Sequence, residues 1–243
     1  MVTASHAVPA ARAPRRIYVA LSLLAAAMVL VGFWPSYFGA LTAGTVDRPV
    51  FIHFHAVVYV GWLAIFIAQT VFAATGRIAT HMALGRFAIG YGVLVIGAGL
   101  VAALGMFTLR VRGGDLADAQ SSLVGPLLDM IVFAPLFAAA VYYRRRPELH
   151  KRLMVVATTA LLIAAVGRMP FWGEPRSLAL IQLVWSAPIL VGMAHDLLSR
   201  RLVHPVYVLG LAVLWLEGPS ARGFIRGTGV WQDATAWLAT WVV

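Results

Sequence analysis

The chain has 243 residues, of which 61% are hydrophobic and only 12% charged, about half the charged fraction of an ordinary soluble domain. Its net charge is +10, but the basic residues fall in short connections between apolar runs, which excludes a nucleic-acid-binding surface as their explanation. Cysteine is absent, so disulfides, zinc–thiolate sites and iron–sulfur clusters are excluded, and any metal must bind histidine, carboxylate or methionine.

Apolar runs of about twenty residues recur along the chain and predict an all-α, polytopic membrane bundle. A disordered cytoplasmic tail (1–16) is expected before a single bundle (17–227). We expect an amphipathic helix at the membrane interface (228–243), because its tryptophans recur at helical spacing. The bundle is predicted to contain seven transmembrane helices, at residues 17–41, 49–74, 82–109, 121–143, 150–168, 178–198 and 205–217. The first run is too long for a typical signal peptide.

The distribution of arginine and lysine predicts how these spans are oriented. Twelve of these residues fall on the side of the N-terminus and seven on the opposite side. Because positive residues collect in cytoplasmic connections, we expect a multi-pass protein of the bacterial inner membrane. Its N-terminus should be cytoplasmic and its C-terminus outside.

One motif occurs twice, each time at a bend between two apolar runs. Arg77-Ile-Ala-Thr-His81-Met-Ala-Leu84 is followed 69 residues later by Arg146-Pro-Glu-Leu-His150-Lys-Arg-Leu153. Both read Arg-x-x-x-His-x-x-Leu. The repeated unit is therefore interpreted as a helical hairpin with a basic, histidine-containing bend.

Each of these histidines heads a stripe of small residues on its own helix: Gly85, Gly92 and Gly99 after His81, and Ala157 and Ala164 after His150. One hypothesis is a haem between spans three and five, with both imidazoles as axial ligands and the small residues making room for the ring. A second is that small residues let helices pack closely and that interfacial histidines have no ligand. A bare metal ion is the third.

The beginning of span three, His81-Met-Ala-Leu84-Gly85, resembles transmembrane b-type cytochromes, which bind haem between hairpins. The doubled bend is more similar to a group of uncharacterised bacterial multipass proteins, whose second bend is matched by Pro147-Glu-Leu-His150-Lys-Arg-Leu153. This resemblance covers roughly residues 50–170. The cytochrome resemblance implies haem b at His81 and His150, and electron transfer to or from quinone or another respiratory-chain partner.

A second group of candidate ligands lies near the opposite ends of the spans. His53 and His55 begin span two, Asp129 lies within span four, and Arg168 ends span five. An ionisable residue within a span indicates a site with a partner to be identified. Asp129 is expected to pair with Arg168 in a structural ion pair, or with His53 or His55 in a proton-carrying or metal-binding site.

His195 lies near the end of span six and adds to the histidines on the predicted cytoplasmic side. With His204, His81 and His150 it offers four nitrogen ligands for a metal site, although four interfacial histidines in separate connections need no common role.

The sequence excludes some functional classes and leaves two main alternatives. The only lysine, Lys151, lies at the end of a span, so a retinal Schiff base within the membrane is excluded. No phosphate-binding loop is present, which argues against an ATP-driven pump. We expect a haem-binding electron-transfer protein or, alternatively, a non-enzymatic assembly factor or small transporter that uses Asp129 with a histidine. An accessory subunit without a cofactor is the third possibility.

Overall fold

A computed structural model describes residues 16–173 and 176–242, and all the regular secondary structure in these ranges is helical. The predicted tail, residues 1–16, lies outside the described residues except for Arg16, the first residue of α1. The helices are α1 (Arg16–Phe33), α2 (Gly39–Thr42), α3 (Val50–Ala74), α4 (Ile78–Arg112), α5 (Leu116–Tyr142), α6 (Pro147–Ala160), α7 (Ile163–Val166), α8 (Leu178–Trp185), α9 (Ala187–Arg200), α10 (Pro205–Leu216), α11 (Pro219–Arg226) and α12 (Gly229–Ala239).

The prediction of long apolar helices is confirmed. Five helical stretches of the described chain are long and apolar enough to cross a membrane, or six if the bent pair α8–α9 counts as one span. Large apolar side chains such as Val57, Phe87 and Ile131 are exposed on their outer surfaces. In water this surface would be unfavourable, whereas it suits the hydrocarbon of a bilayer.

The predicted fifth span differs most from expectation. It consists of a 14-residue helix, α6, and the single turn α7, separated by Leu161 and Leu162. Neither is long enough by itself to cross a membrane. The unbroken run of residues 155–160 is buried, as are Leu162 and Ile163. This segment therefore forms the centre of the bundle, with α1, α5, α9 and α10 packed around it.

The last predicted spans are interrupted as well. Helices α8 and α9 meet at an angle of 57°, at Ser186, just before Pro188 at the beginning of α9. Helix α10 ends at Leu216, and α11 begins at Pro219, directly after Gly218. The apolar stretch as a whole continues to Arg226. Gly and Pro at these positions account for the break, since Pro favours the first turn of a new helix.

The bundle has two ends, which carry different chemistry. The histidine end carries the α3–α4 and α5–α6 bends, and hence both copies of the repeated motif. The cavity end carries the connections from α2 to α3 and from α4 to α5. At the cavity end α12 packs against α5, where the Trp231 side chain donates to the Gln120 carbonyl at 3.0 Å.

Candidate functional sites

The two histidines of the repeated motif meet at the histidine end of the bundle. The ring centroids of His81 and His150 are 6.4 Å apart, and their planes are nearly perpendicular, at 83°. Helices α4 and α6 present them from their first turns. The two side chains that the haem hypothesis places on one cofactor thus lie close together.

Each histidine is oriented in the same way by the helix that precedes it. The Nδ1 atom of His81 lies 3.2 Å from the carbonyl oxygen of Gln69, and that of His150 lies 2.8 Å from the carbonyl oxygen of Ala140. A carbonyl only accepts, so each Nδ1 must carry the proton and donate it. In the neutral form of each ring the lone pair then lies on Nε2, and this is the tautomer that binds metals in histidine sites.

The separation of the rings fits coordination of one metal ion between them. With metal–nitrogen distances of about 2.0–2.1 Å, two imidazoles on opposite sides of an ion have centroids roughly 6.4 Å apart. The pair alone supplies only two ligands. Within the described residues no group of three or more His, Asp or Glu side chains is arranged to hold a metal.

The stripe below His81 does not provide the flat slot that a haem ring needs. Gly92 is met by the Phe137 ring, and Gly99 by the side chains of Tyr59 and Met130, so closely that even a Cβ atom at either glycine would collide with them. The small residues therefore make room for neighbouring side chains. The spacing of the two rings matches that of two ligands of one ion, whereas a macrocycle along this stripe would require the Phe137 ring to move.

His53, His55 and Asp129, the second predicted ligand group, each have another partner. His53 Nδ1 lies 2.8 Å from the Tyr37 hydroxyl. His55 stacks on Tyr59 with centroids 4.0 Å apart, and its Nδ1 lies 3.4 Å from a backbone carbonyl of α4. The three side chains do not form a ligand cluster among the described residues.

Asp129 pairs with Arg222, not with Arg168 or a histidine as expected from the sequence. Arg222 Nη2 donates to Asp129 Oδ1 at 2.6 Å, and both side chains are buried. The sequence placed Arg222 in an outer connection because it follows Gly218 and Pro219. Helix α11 instead packs on α5 and brings the guanidinium into the bundle.

Glu217 joins this pair and makes it a buried triad of two carboxylates and one guanidinium. Glu217 Oε1 is 3.7 Å from Arg222 Nη2, and within the described part of the chain neither Glu217 carboxylate oxygen has a hydrogen-bond partner. With all three groups ionised the triad carries one net negative charge. It can therefore take up one proton and become neutral.

The cavity end contains a cavity of about 400 Å³, between α1, α3, α4, α5 and the α6–α7 segment. His55 and Asp129 line it, as does Arg168, whose guanidinium lies over the Phe33 ring. Several predicted site residues thus meet around one space, although not in contact with one another as ligands. The cavity itself was not predicted, because no sequence pattern reports an internal space.

At the histidine end His195 does not join a histidine cluster within the described chain. Its neighbour Asp196 is an acid within predicted span six that no motif of the sequence marks. Asp196 binds Arg152 through two hydrogen bonds of 2.6 and 2.9 Å. Arg152 also binds Glu148 at 2.7 Å. These charges hold α6 to α9 and have a structural role.

Comparison of the chain with protein-family models, with curated proteins and with solved structures found no match.

Proposed function

We propose that this protein is a seven-span protein of the bacterial inner membrane in which His81 and His150 bind one metal ion. The observation that carries the proposal is the pair itself, with its centroid separation of 6.4 Å and both Nδ1 atoms directed at backbone carbonyls. Two copies of one motif supply one ligand each. With Nδ1 donating to a carbonyl, each neutral ring keeps its Nε2 lone pair for a ligand.

Haem b, with electron transfer to or from quinone, is the form of this proposal that the cytochrome resemblance implies. It requires the Phe137 ring to leave its position against Gly92. A non-haem transition metal needs no such movement, and further ligands would come from water or from a redox partner. Histidine nitrogens suit copper, iron, nickel and zinc.

The test is an absorption spectrum of the detergent-purified protein, oxidised and dithionite-reduced, together with metal analysis of the same sample. We expect a metal-to-protein ratio near one, lost in His81→Ala and in His150→Ala. His195→Ala is the matched control and should retain the metal, because His195 lies at the same end outside the pair. A Soret band identifies haem, a bound metal without this band identifies a bare-ion site, and a colourless, metal-free sample contradicts the proposal.

The buried triad favours a second candidate function, that of a small transporter or assembly factor with Asp129 as its proton-carrying site. An ionisable side chain that can gain and lose a proton within a helical bundle is typical of proton-coupled membrane proteins. In this case Asp129→Asn should abolish function in cells while His81→Ala leaves it intact. The opposite result would assign the function to the histidine pair.

A further inference from the structure

The cavity at the cavity end is positively charged at one end of its lining and has unpaired donors at the other. Arg48, Arg110 and Arg168 all line it. Arg110 pairs with Asp118, whereas Arg48 and Arg168 form no ion pair with any described residue. Two arginines that form no salt bridge within the described chain, beside an apolar space, indicate a place for an anion.

Two polar side chains on the opposite part of the lining have no hydrogen-bond partner among the described residues. They are the Nε1 atom of Trp62 and the Oγ1 atom of Thr158, and both residues are at least 98% buried. A buried donor without an acceptor costs about 1–3 kcal/mol. Both residues therefore indicate that an acceptor atom occupies this part of the cavity when it is filled.

The two polar regions lie at different places along the α6–α7 segment. Thr158 lies in α6, whereas Arg168 lies ten residues further on, just after the end of α7. The wall between them is largely apolar and includes Leu161, Leu162 and Ala164. The space is thus elongated, with a cationic end, an apolar middle and a donor-lined end.

The wall also contains a break in regular helical structure. Pro35 lies in the π-helical turn Trp34–Phe38 that follows α1, and Ser36, Tyr37 and Phe38 line the cavity. Turns of this type occur frequently at functional sites, because the extra residue redirects side chains. Here it turns side chains of this segment to the same space as Arg168.

We infer that this cavity binds a small amphipathic anion. Its carboxylate or phosphate group lies at Arg48 and Arg168, its apolar chain lies against the middle of the wall, and a terminal oxygen accepts from Trp62 and Thr158. The volume of about 400 Å³ lies in the range of small-molecule sites, about 300–1,000 Å³. Asp129 also lines the cavity, where it is paired with Arg222.

The inference can be tested on the full chain in nanodiscs of neutral phosphatidylcholine, with empty nanodiscs as the blank. Calorimetric titrations would compare dodecanoate, dodecyl phosphate and dodecanol. Both anions should bind at least about tenfold more tightly than the alcohol, since each gains charge-assisted hydrogen bonds. Tighter binding of dodecyl phosphate would indicate a phosphorylated lipid fragment as the natural source, and tighter binding of dodecanoate a free fatty acid.

Variants distinguish binding of the anion in the cavity from its attraction to positive charge elsewhere on the surface. Arg168→Gln should remove the preference for anions, and Arg168→Lys should keep most of it. Arg112→Gln is the matched control, because Arg112 lies at the same end but does not line the cavity and binds the Val242 carbonyl. If Arg168→Gln does not fold, Arg48→Gln and Ala164→Leu replace it. Ala164→Leu fills the space without changing its charge and should abolish binding of both anions.

The donor-lined end has its own test. In the unmodified protein 12-hydroxydodecanoate should bind severalfold more tightly than dodecanoate, and Thr158→Val should reduce this difference. Dodecanol binding as tightly as dodecanoate, an Arg112→Gln effect equal to that of Arg168→Gln, or equal binding of the two acids would each overturn the assignment. The histidine pair is not involved, so His81→Ala should bind both anions unchanged.

Discussion

Arg222 faces two carboxylates in the interior of the bundle, those of Asp129 and Glu217. It also donates from Nε to the Glu217 carbonyl at 2.9 Å, and its guanidinium lies 5.6 Å from the centre of the Trp185 ring. Removing a buried charge is costly when the remaining partner loses its countercharge. Removal of the arginine therefore leaves two unpaired buried carboxylates, whereas removal of one carboxylate leaves the arginine with the other as its countercharge.

Arg222→Met should destabilise the protein by about 3–5 kcal/mol, because it leaves two buried carboxylates without a cation. Asp129→Asn should cost clearly less, since Glu217 remains beside Arg222 as a countercharge. The free energies of unfolding can be compared by titration with a denaturing detergent. Arg226→Met, one turn further along and exposed, is the control and should have little effect. Equal losses for Arg222→Met and Asp129→Asn would contradict this account.

Glu148 provides a pH-dependent contact at the histidine end, in the bend before the predicted fifth span. Burial raises its pKa, but hydrogen bonds from Lys151, Arg152 and Arg200 outweigh this and lower the pKa to about 2. Because the folded pKa is below the ordinary value of 4.5, the contribution to stability is present above that value and is lost as the pH falls towards 2.

The thermal unfolding temperature should therefore decrease as the pH is lowered from about 4.5 to about 2. Glu148→Gln should make this temperature less dependent on pH in the same range. The effect is modest because the Glu148 side chain is 47% exposed. Asp233→Asn removes an exposed acid at the cavity end and should leave the profile unchanged. A Glu148→Gln protein with the full acid dependence would show that other carboxyl groups produce it.

At the scale of elements, the glycines of α4 differ in what surrounds them. Gly92 touches the Phe137 ring, whereas a Cβ at Gly97 would meet no atom within 4 Å. Gly92→Ala should destabilise the protein by roughly 1–3 kcal/mol, since the aromatic ring must move. Gly97→Ala is the matched control and should be neutral or slightly stabilising, because alanine favours a helix. Similar effects of both substitutions on the free energy of unfolding would contradict the close approach of α4 to α5.

The sequence predicts the unbroken helices well and the interrupted ones poorly. Helix α3 ends at Ala74, as predicted, because Gly76 follows its apolar run. Nothing in the apolar run through Leu161 and Leu162 indicates that α6 ends there, since neither residue disfavours a helix. The same limit applies to the sites. A repeated motif singled out both His81 and His150, whereas the Asp129–Arg222 pair depends on how α11 packs and has no local signal.

At the scale of the whole molecule, the short α6–α7 segment decides how many times the chain crosses the membrane. The structure places α12 beside the α4–α5 connection, with Arg112 Nε donating to the Val242 carbonyl at 3.1 Å. Arg48 and Arg110 line one cavity, so the connection before α3 lies at this end too. An even number of crossings must therefore separate Thr45 from Thr240. The seven predicted spans meet this condition if α6–α7 and the bent pair α8–α9 both cross.

The chain contains no cysteine, so single cysteines can be introduced and labelled with a membrane-impermeant maleimide. The labelling shows on which side of the membrane each connection lies. The positions are three exposed threonines, in the variants Thr45→Cys, Thr75→Cys and Thr240→Cys. With the N-terminus in the cytoplasm, Thr45→Cys and Thr240→Cys should be labelled in intact spheroplasts, and Thr75→Cys only after permeabilisation. The arginine and lysine bias towards the histidine end predicts this orientation. Labelling of Thr45→Cys and Thr240→Cys from opposite sides would mean that α6–α7 does not cross. Labelling of Thr75→Cys alone in intact spheroplasts would mean that the orientation is the opposite of the expected one.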